Sequence, residues 1–350
     1  MVVVSHAAAY FHFLNTPFIL NLPLGQGVSF FFVLSGFILT YNYPKLSGRT
    51  EILRFWRARF ARIWPAHAVI LFICLFVFPP AWGVPPIVNI AAHALLVHGW
   101  ILRDRFFFSI NPPSWSISTE LAFYLLFPIL LWEQKKNWWA KLLLAALVVV
   151  GFVWFGAGAQ LPDSGKCSGL TVKGLMYINP LVRVFEFVLG MTCATLWAKI
   201  KDKQISPKLL TVLEVGCITL IVAYVANIFN LVEPLKASAP GRVVRCWLLY
   251  EGNCFGFAAL IFVCALQKGF VSRLLSNRIC VWLGEISYSI YLIHMMLLVL
   301  YGRNIHFAAA INSPIMFAGY GIALIGAAHL TYTFVEKPMR KWLAPSATFS

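Results

Sequence analysis

The residues able to do chemistry are those that interrupt long apolar runs, because an ionisable side chain among apolar neighbours is costly to keep and usually functional. They are His6, Glu120, Arg183, Glu186, Glu214, Glu251, Glu285, His294 and His329. His6 is the first candidate base, since imidazole titrates near neutrality and, facing a polar cavity, can take a proton from a hydroxyl. The alternative is a core histidine satisfied by a neighbouring helix. The run NPPSWSISTELAFYLLFP at 111–128 gathers Ser114, Trp115, Ser116, Ser118, Thr119 and Glu120 ahead of an apolar stretch containing Tyr124. Pro112 and Pro113 suit a loop leading into a helix that Ser or Thr can cap. Glu120, one turn in, is either a carboxylate orienting a catalytic imidazole or a structural acid paired across a bundle.

Two further groups carry charge. Arg183 and Glu186 stand three apart, so they share a helix face and can neutralise each other. A buried ion pair holding two helices in register and a ligand-binding role are both open. The stretch EILRFWRARFARIWPAH at 51–67 carries Arg54, Arg57, Arg59 and Arg62 with Phe55, Trp56 and Phe60. Arginine offers a planar fork for phosphate, so this loop can hold the phosphates of a coenzyme A thioester. Equally, it can be an anchor to anionic membrane lipid.

These residues need elements to position them, and composition names the medium. The chain has 350 residues, 60% hydrophobic and 11% charged, against about 45–50% and 25% in soluble domains. Mean hydropathy is +0.79. The net charge of +16 would suggest nucleic acid in a soluble protein, but in a membrane protein it reflects cytoplasmic loops meeting anionic lipid, and no nucleic-acid partner is expected. A crossing helix needs roughly 17–25 mostly apolar residues. Ten stretches qualify: 2–20, 26–42, 66–84, 115–132, 139–157, 178–197, 209–229, 247–266, 281–301 and 314–335. The segment 89–102 is short and His-rich, which reads as interfacial or re-entrant.

Alternate loops then carry nineteen and eight Lys and Arg residues, with Arg183 left inside a span. Cytoplasmic loops hold the excess, which places both termini in the cytoplasm. The expected fold is all-α and integral to the membrane, a bundle of about ten transmembrane helices forming a single domain over 1–350. Eight cysteines show no CxxC pair and no metal-ligand spacing, so no metal is expected. Cys167 and Cys246 are the two that fall outside the membrane and can form a bridge.

Seven runs in order resemble the membrane-bound acyltransferase 3 family, the O-acetyltransferases of O-antigen, exopolysaccharide and nodulation-factor decoration. They are MVVVSHA at 1–7, GVSFFFVLSGFILTY at 27–41, RARFARIWPAH at 57–67, PSWSISTELAFYLLFP at 113–128, RVFEFVLGM at 183–191, GEISYSIYLIH at 284–294 and FVEKPMRKW at 334–342. The resemblance implies a ten-helix enzyme of the bacterial inner membrane that takes an acyl group, usually acetyl, from acyl-CoA as co-substrate and acylates a carbohydrate, with no permanently bound cofactor. It implies that His6 is catalytic, that Arg59 and Arg62 match an Arg-x-x-Arg donor-binding pair with Arg54 beside it, and that Ser116 and Glu120 match a Trp-Ser-x-x-x-Glu run. Family members usually carry an arginine eleven residues before that histidine. Here five residues precede it, so the native start is expected upstream. No esterase-like domain is expected after the last span, as in stand-alone members.

On this reading His6, oriented by Glu120, deprotonates a sugar hydroxyl as it attacks the thioester, directly or through an acyl-histidine. Polar positions at Ser35, Gly36, Ser116 and Tyr288 line the expected passage, with Trp115, Tyr124, Arg183, Glu186 and His294 completing the substrate pocket. The rival class is a transporter or flippase for a lipid-linked sugar, against which stands the lack of internal symmetry.

Overall fold

The computed structural model of the chain describes residues 1–11, 14, 16, 22–77, 85–163, 169–303 and 314–344. Among these the protein is all-α, with no strand. Its α-helices longer than four residues are α1 (Val2–Ala7), α2 (Gly27–Asn42), α3 (Gly48–Val77), α4 (Pro86–Ala94), α5 (Trp115–Leu131), α6 (Gln134–Gly158) and α7 (Pro180–Ile200). They continue with α8 (Pro207–Val232), α9 (Ala239–Tyr250), α10 (Cys254–Cys264), α11 (Phe270–Leu275), α12 (Arg278–Arg303), α13 (Pro314–Thr331) and α14 (Lys337–Leu343). Nine stretches among the described residues are long and apolar enough to cross a membrane, matching nine of the ten expected spans. Of the tenth, 2–20, α1 is described, whereas 12–13, 15 and 17–20 lie outside the described residues, as do 78–84 of the expected span 66–84 and Cys167 of the expected bridge.

Two spans differ from expectation. The arginine-rich stretch is not a loop but the first half of α3, a continuous helix of 30 residues. At 1.5 Å per residue it extends about 45 Å, beyond the roughly 30 Å of hydrocarbon, so its charged turns need not enter lipid. A hydropathy window overlooks those turns, although Phe55, Ala58, Arg59, Ala61 and Ile63 form a buried face. The expected span 247–266 is two helices, α9 and α10, broken at Glu251, Gly252 and Asn253. The His-rich segment holds only α4 and a turn at His98–Trp100, too short to cross.

The chain divides into two units, one of residues 1–22, 47–124 and 282–350, the other of 23–46 and 125–281. In the second unit α2 packs against α7 through two glycines. A Cβ on Gly36 would fall on the Phe187 carbonyl oxygen and one on Gly190 on the Val33 carbonyl oxygen. Small residues let helix backbones approach in this way where lipid offers no hydrophobic drive. Glu214 on α8 is a cap: its carboxylate accepts from the Val271 N–H at 2.8 Å and the Ser272 N–H at 3.1 Å, at the start of α11.

In the first unit Leu343 and Ala344, at the end of α14, pack on Ala58 and Ala61 of α3. The His-rich segment is stitched to the start of α5. His98 Nε2 donates to the Ser114 hydroxyl at 3.1 Å, which donates to the Asn111 carbonyl at 2.7 Å, and Ser118 donates to the Leu96 carbonyl. His93 stacks on His98 at 3.9 Å, its ring nitrogens 3.0 Å from the Asn89 and Ser109 carbonyl oxygens. Burial pushes the His93 imidazole down to about 4, with hydrogen bonds to those carbonyls opposing the shift. The unfolded chain therefore takes up a proton near pH 6.5 that the folded chain refuses until about pH 4. Stability should fall by about 3 kcal/mol as the pH drops through that window. The thermal midpoint in detergent, followed from pH 7 to 4, checks this, and His93→Gln should remove that part of the slope.

Candidate active site

α1 carries His6, half-buried, and Phe11 anchors the segment through rings of Tyr301, Phe317 and Tyr320 at 5.3–5.8 Å. His6 Nδ1 lies 2.9 Å from Nε2 of His294, a buried residue of α12, and the two rings are parallel to within 2°, their centroids 5.2 Å apart. His294 Nδ1 lies 2.6 Å from the Tyr291 carbonyl oxygen. The Tyr320 hydroxyl donates to the His294 carbonyl at 3.1 Å. The proline turn before α5 is fastened to the same stretch of α12. Asn111 Nδ2 donates to the Leu292 carbonyl at 3.1 Å, and the Tyr291 hydroxyl donates to the Pro113 carbonyl at 3.0 Å. The Ser116 hydroxyl donates to Tyr291 at 2.8 Å. Ser116 therefore reaches the histidine pair through Tyr291, with Trp115 buried beside it.

Ser116, Glu120 and Tyr124 recur every four residues, which places them on one face of α5. The Tyr124 hydroxyl donates to the Glu120 carboxylate, whereas the hydrogen-bonding contact described for His6 is with His294. Arg59 and Arg62 on α3 act electrostatically on Tyr124. Trp56 Nε1 donates to the Tyr124 carbonyl at 3.0 Å. The Tyr288 hydroxyl donates to the Ile63 carbonyl at 2.6 Å, within the field of Glu120, Glu336 and Arg62. Arg340 Nη2 lies 2.6 Å from the Glu336 carboxylate, which also accepts from Ser289, and Arg340 feels both Arg59 and Arg62. Three guanidiniums and two carboxylates thus converge.

Sequence reasoning singled out neither Glu336 nor Arg340, although their i, i+4 spacing within FVEKPMRKW was the available signal. It also missed Tyr291. The arginine cluster and the histidine pair are joined by helix faces. Tyr124 to Ser116 spans about 12 Å along α5, and Tyr288 to His294 about 9 Å along α12.

The second unit holds the buried charges Arg183, Glu186 and Glu251. Arg183 Nε lies 3.1 Å from Glu186 and its Nη1 2.9 Å from Glu251, with none of the three exposed. Ser29 donates to Glu186, and the guanidinium lies over Phe32 at 4.9 Å and Tyr177 at 5.6 Å. The expected i, i+3 pair is therefore a triad closed by Glu251 at the break between α9 and α10. Ser35 is half-buried on α2, and Gly36 beside it offers no gap, being covered by α7. Arg54, Glu285 and His329 are exposed; His329 Nδ1 accepts from Trp282 Nε1 at 3.3 Å.

A family model described as an acyltransferase domain matches residues 1–333. Acyltransferase MdmB of Streptomyces mycarofaciens is 29% identical, over 90% of this chain and 81% of that protein. O-acetyltransferase OatA of Staphylococcus aureus is 24% identical, over 90% of this chain and 52% of its own length. The chain thus spans about half the length of the staphylococcal relatives it matches. No solved structure matches it. With one family model running through both units, from the helix that bears His6 to the turn before Glu336, this multi-pass membrane protein belongs to the acyltransferase 3 family and is an acyltransferase of the O-acetyltransferase class.

Proposed function

We propose that this protein moves an acetyl or other short acyl group from acyl-CoA to a hydroxyl of a cell-envelope or exported carbohydrate, in a bacterial inner membrane and with both termini cytoplasmic. The observation that carries the reading is the polar face of α5. Ser116, Glu120 and Tyr124 lead from the neighbours of His6 to Arg59 and Arg62, so a base and a phosphate-binding cluster are joined by about 12 Å of polar helix surface.

Arg59 and Arg62, with Arg340 beside them, hold the coenzyme A phosphates by charge-assisted hydrogen bonds. The acyl arm extends along the α5 face toward His6. His6 takes the hydroxyl proton as the oxygen attacks the thioester carbonyl, the C–S bond breaks, and the imidazolium returns the proton to the departing thiolate. In the second unit, Arg183, Glu186 and Glu251 hold the broken helix to α2 and α7.

Membranes carrying the protein, supplied with radiolabelled acetyl-CoA and envelope glycan, should release free coenzyme A and transfer label to the glycan. A transporter would consume no thioester, and absence of turnover with any short acyl-CoA would overturn the reading.

A further inference from the structure

We infer that His294 is a positioning residue that fixes the tautomer of His6. This rests on the proposed role of His6 as base and assigns the partner that makes one particular nitrogen basic. The argument follows the protons outward from a group that cannot donate. The Tyr291 carbonyl oxygen, 2.6 Å from His294 Nδ1, can only accept, so Nδ1 of His294 carries a hydrogen. In a neutral imidazole the other nitrogen then carries the lone pair, and that nitrogen, Nε2, lies 2.9 Å from His6 Nδ1. The hydrogen of this contact therefore belongs to His6 Nδ1, which leaves the lone pair of His6 on Nε2.

The chain Tyr291 carbonyl, His294, His6 thus selects the nitrogen that meets the hydroxyl. The ring planes lie within 2° of parallel, as a bond between in-plane nitrogens requires, and the Tyr320 hydroxyl bond to the His294 carbonyl steadies the backbone behind them. In many acyl-transfer sites a carboxylate performs this task and also supplies negative charge. A neutral imidazole gives direction without charge, so His6 should be a weaker base here than beside an acid. On taking the hydroxyl proton at Nε2, His6 becomes an imidazolium whose Nδ1–H remains bonded to His294 until the thiolate reclaims a proton.

The test compares His294→Leu, His294→Gln and His294→Glu with His6→Ala in the full-length protein, with acetyl-CoA as donor. His294→Leu should lower kcat by about 10²–10⁴-fold, the scale of losing a tautomer-fixing partner, with KM for acetyl-CoA unchanged. His294→Gln, whose amide oxygen can accept from His6 Nδ1, should recover at least tenfold. His294→Glu should raise the acid limb of the pH–rate profile. Ring ¹⁵N spectra of histidine-labelled protein give a readout independent of turnover, with the Nδ1–H form expected for both residues. An active His294→Leu beside an inactive His6→Ala overturns the positioning role alone. An active His6→Ala overturns the base assignment itself. Loss in all three His294 variants with an unmoved pH profile, or an Nε2–H spectrum for His6, also overturns the inference.

Discussion

Replacing His6 by alanine should lower acyl transfer by about 10²–10⁴-fold, the range in which a positioned base accelerates proton transfer. The loss should fall on kcat. The arginines proposed to hold the donor lie near the far end of the α5 face, and His6 makes its described hydrogen bond to His294, not to them. KM for acetyl-CoA should therefore stay within about threefold, as expected when an interaction made only in the transition state is removed. α1 remains anchored through the rings packed around Phe11, so the variant should purify with the size-exclusion profile of the parent. Label transfer from acetyl-CoA to glycan measures the effect, and a normal rate ends the assignment.

Substitution at the α2–α7 glycines should have the largest structural effect. Each helix places a carbonyl oxygen where the other's Cβ would sit, Phe187 against Gly36 and Val33 against Gly190. A side chain there cannot be absorbed by rotamer change, because the obstacle is backbone. The helices must part, at about 1–3 kcal/mol or more for a methyl and further for a branched residue. Gly36→Val and Gly190→Val should each fail to accumulate as folded protein, and the alanine variants should show clearly lowered thermal midpoints in detergent. The two alanine changes should also be less than additive, since separating the helices once relieves both contacts. Gly216→Ala on α8, where an added Cβ meets nothing within 4 Å, should leave the midpoint unchanged.

The spans were legible because run length and hydropathy are properties of a single stretch of chain, and a membrane of fixed thickness selects for them. The register of α5 was legible too, with Ser116 and Glu120 spaced for one face. The arginine half of α3 escaped because its helical pattern is written in buried small and aromatic residues between charges. The break at Glu251 escaped because a window averages over three residues. Partnerships were the least legible. Nothing local in MVVVSHA says that His6 meets His294, 288 positions on, or that the pair Arg183 and Glu186 closes on Glu251. Such pairings arise from helix packing, which one sequence does not print. The bond from Tyr124 to Glu120, by contrast, joins i, i+4 neighbours within one helix.

The triad of Arg183, Glu186 and Glu251 bears on how the polypeptide enters the membrane during synthesis. Each charge placed alone at the bilayer centre costs about 2.5–3.5 kcal/mol on insertion scales. α7 emerges carrying two of them, with their third partner about 65 residues later in the nascent chain. Lateral release of α7 from the translocation channel is therefore most favourable once α9 has followed it out, which ties the middle of this protein to insertion as a group and not helix by helix.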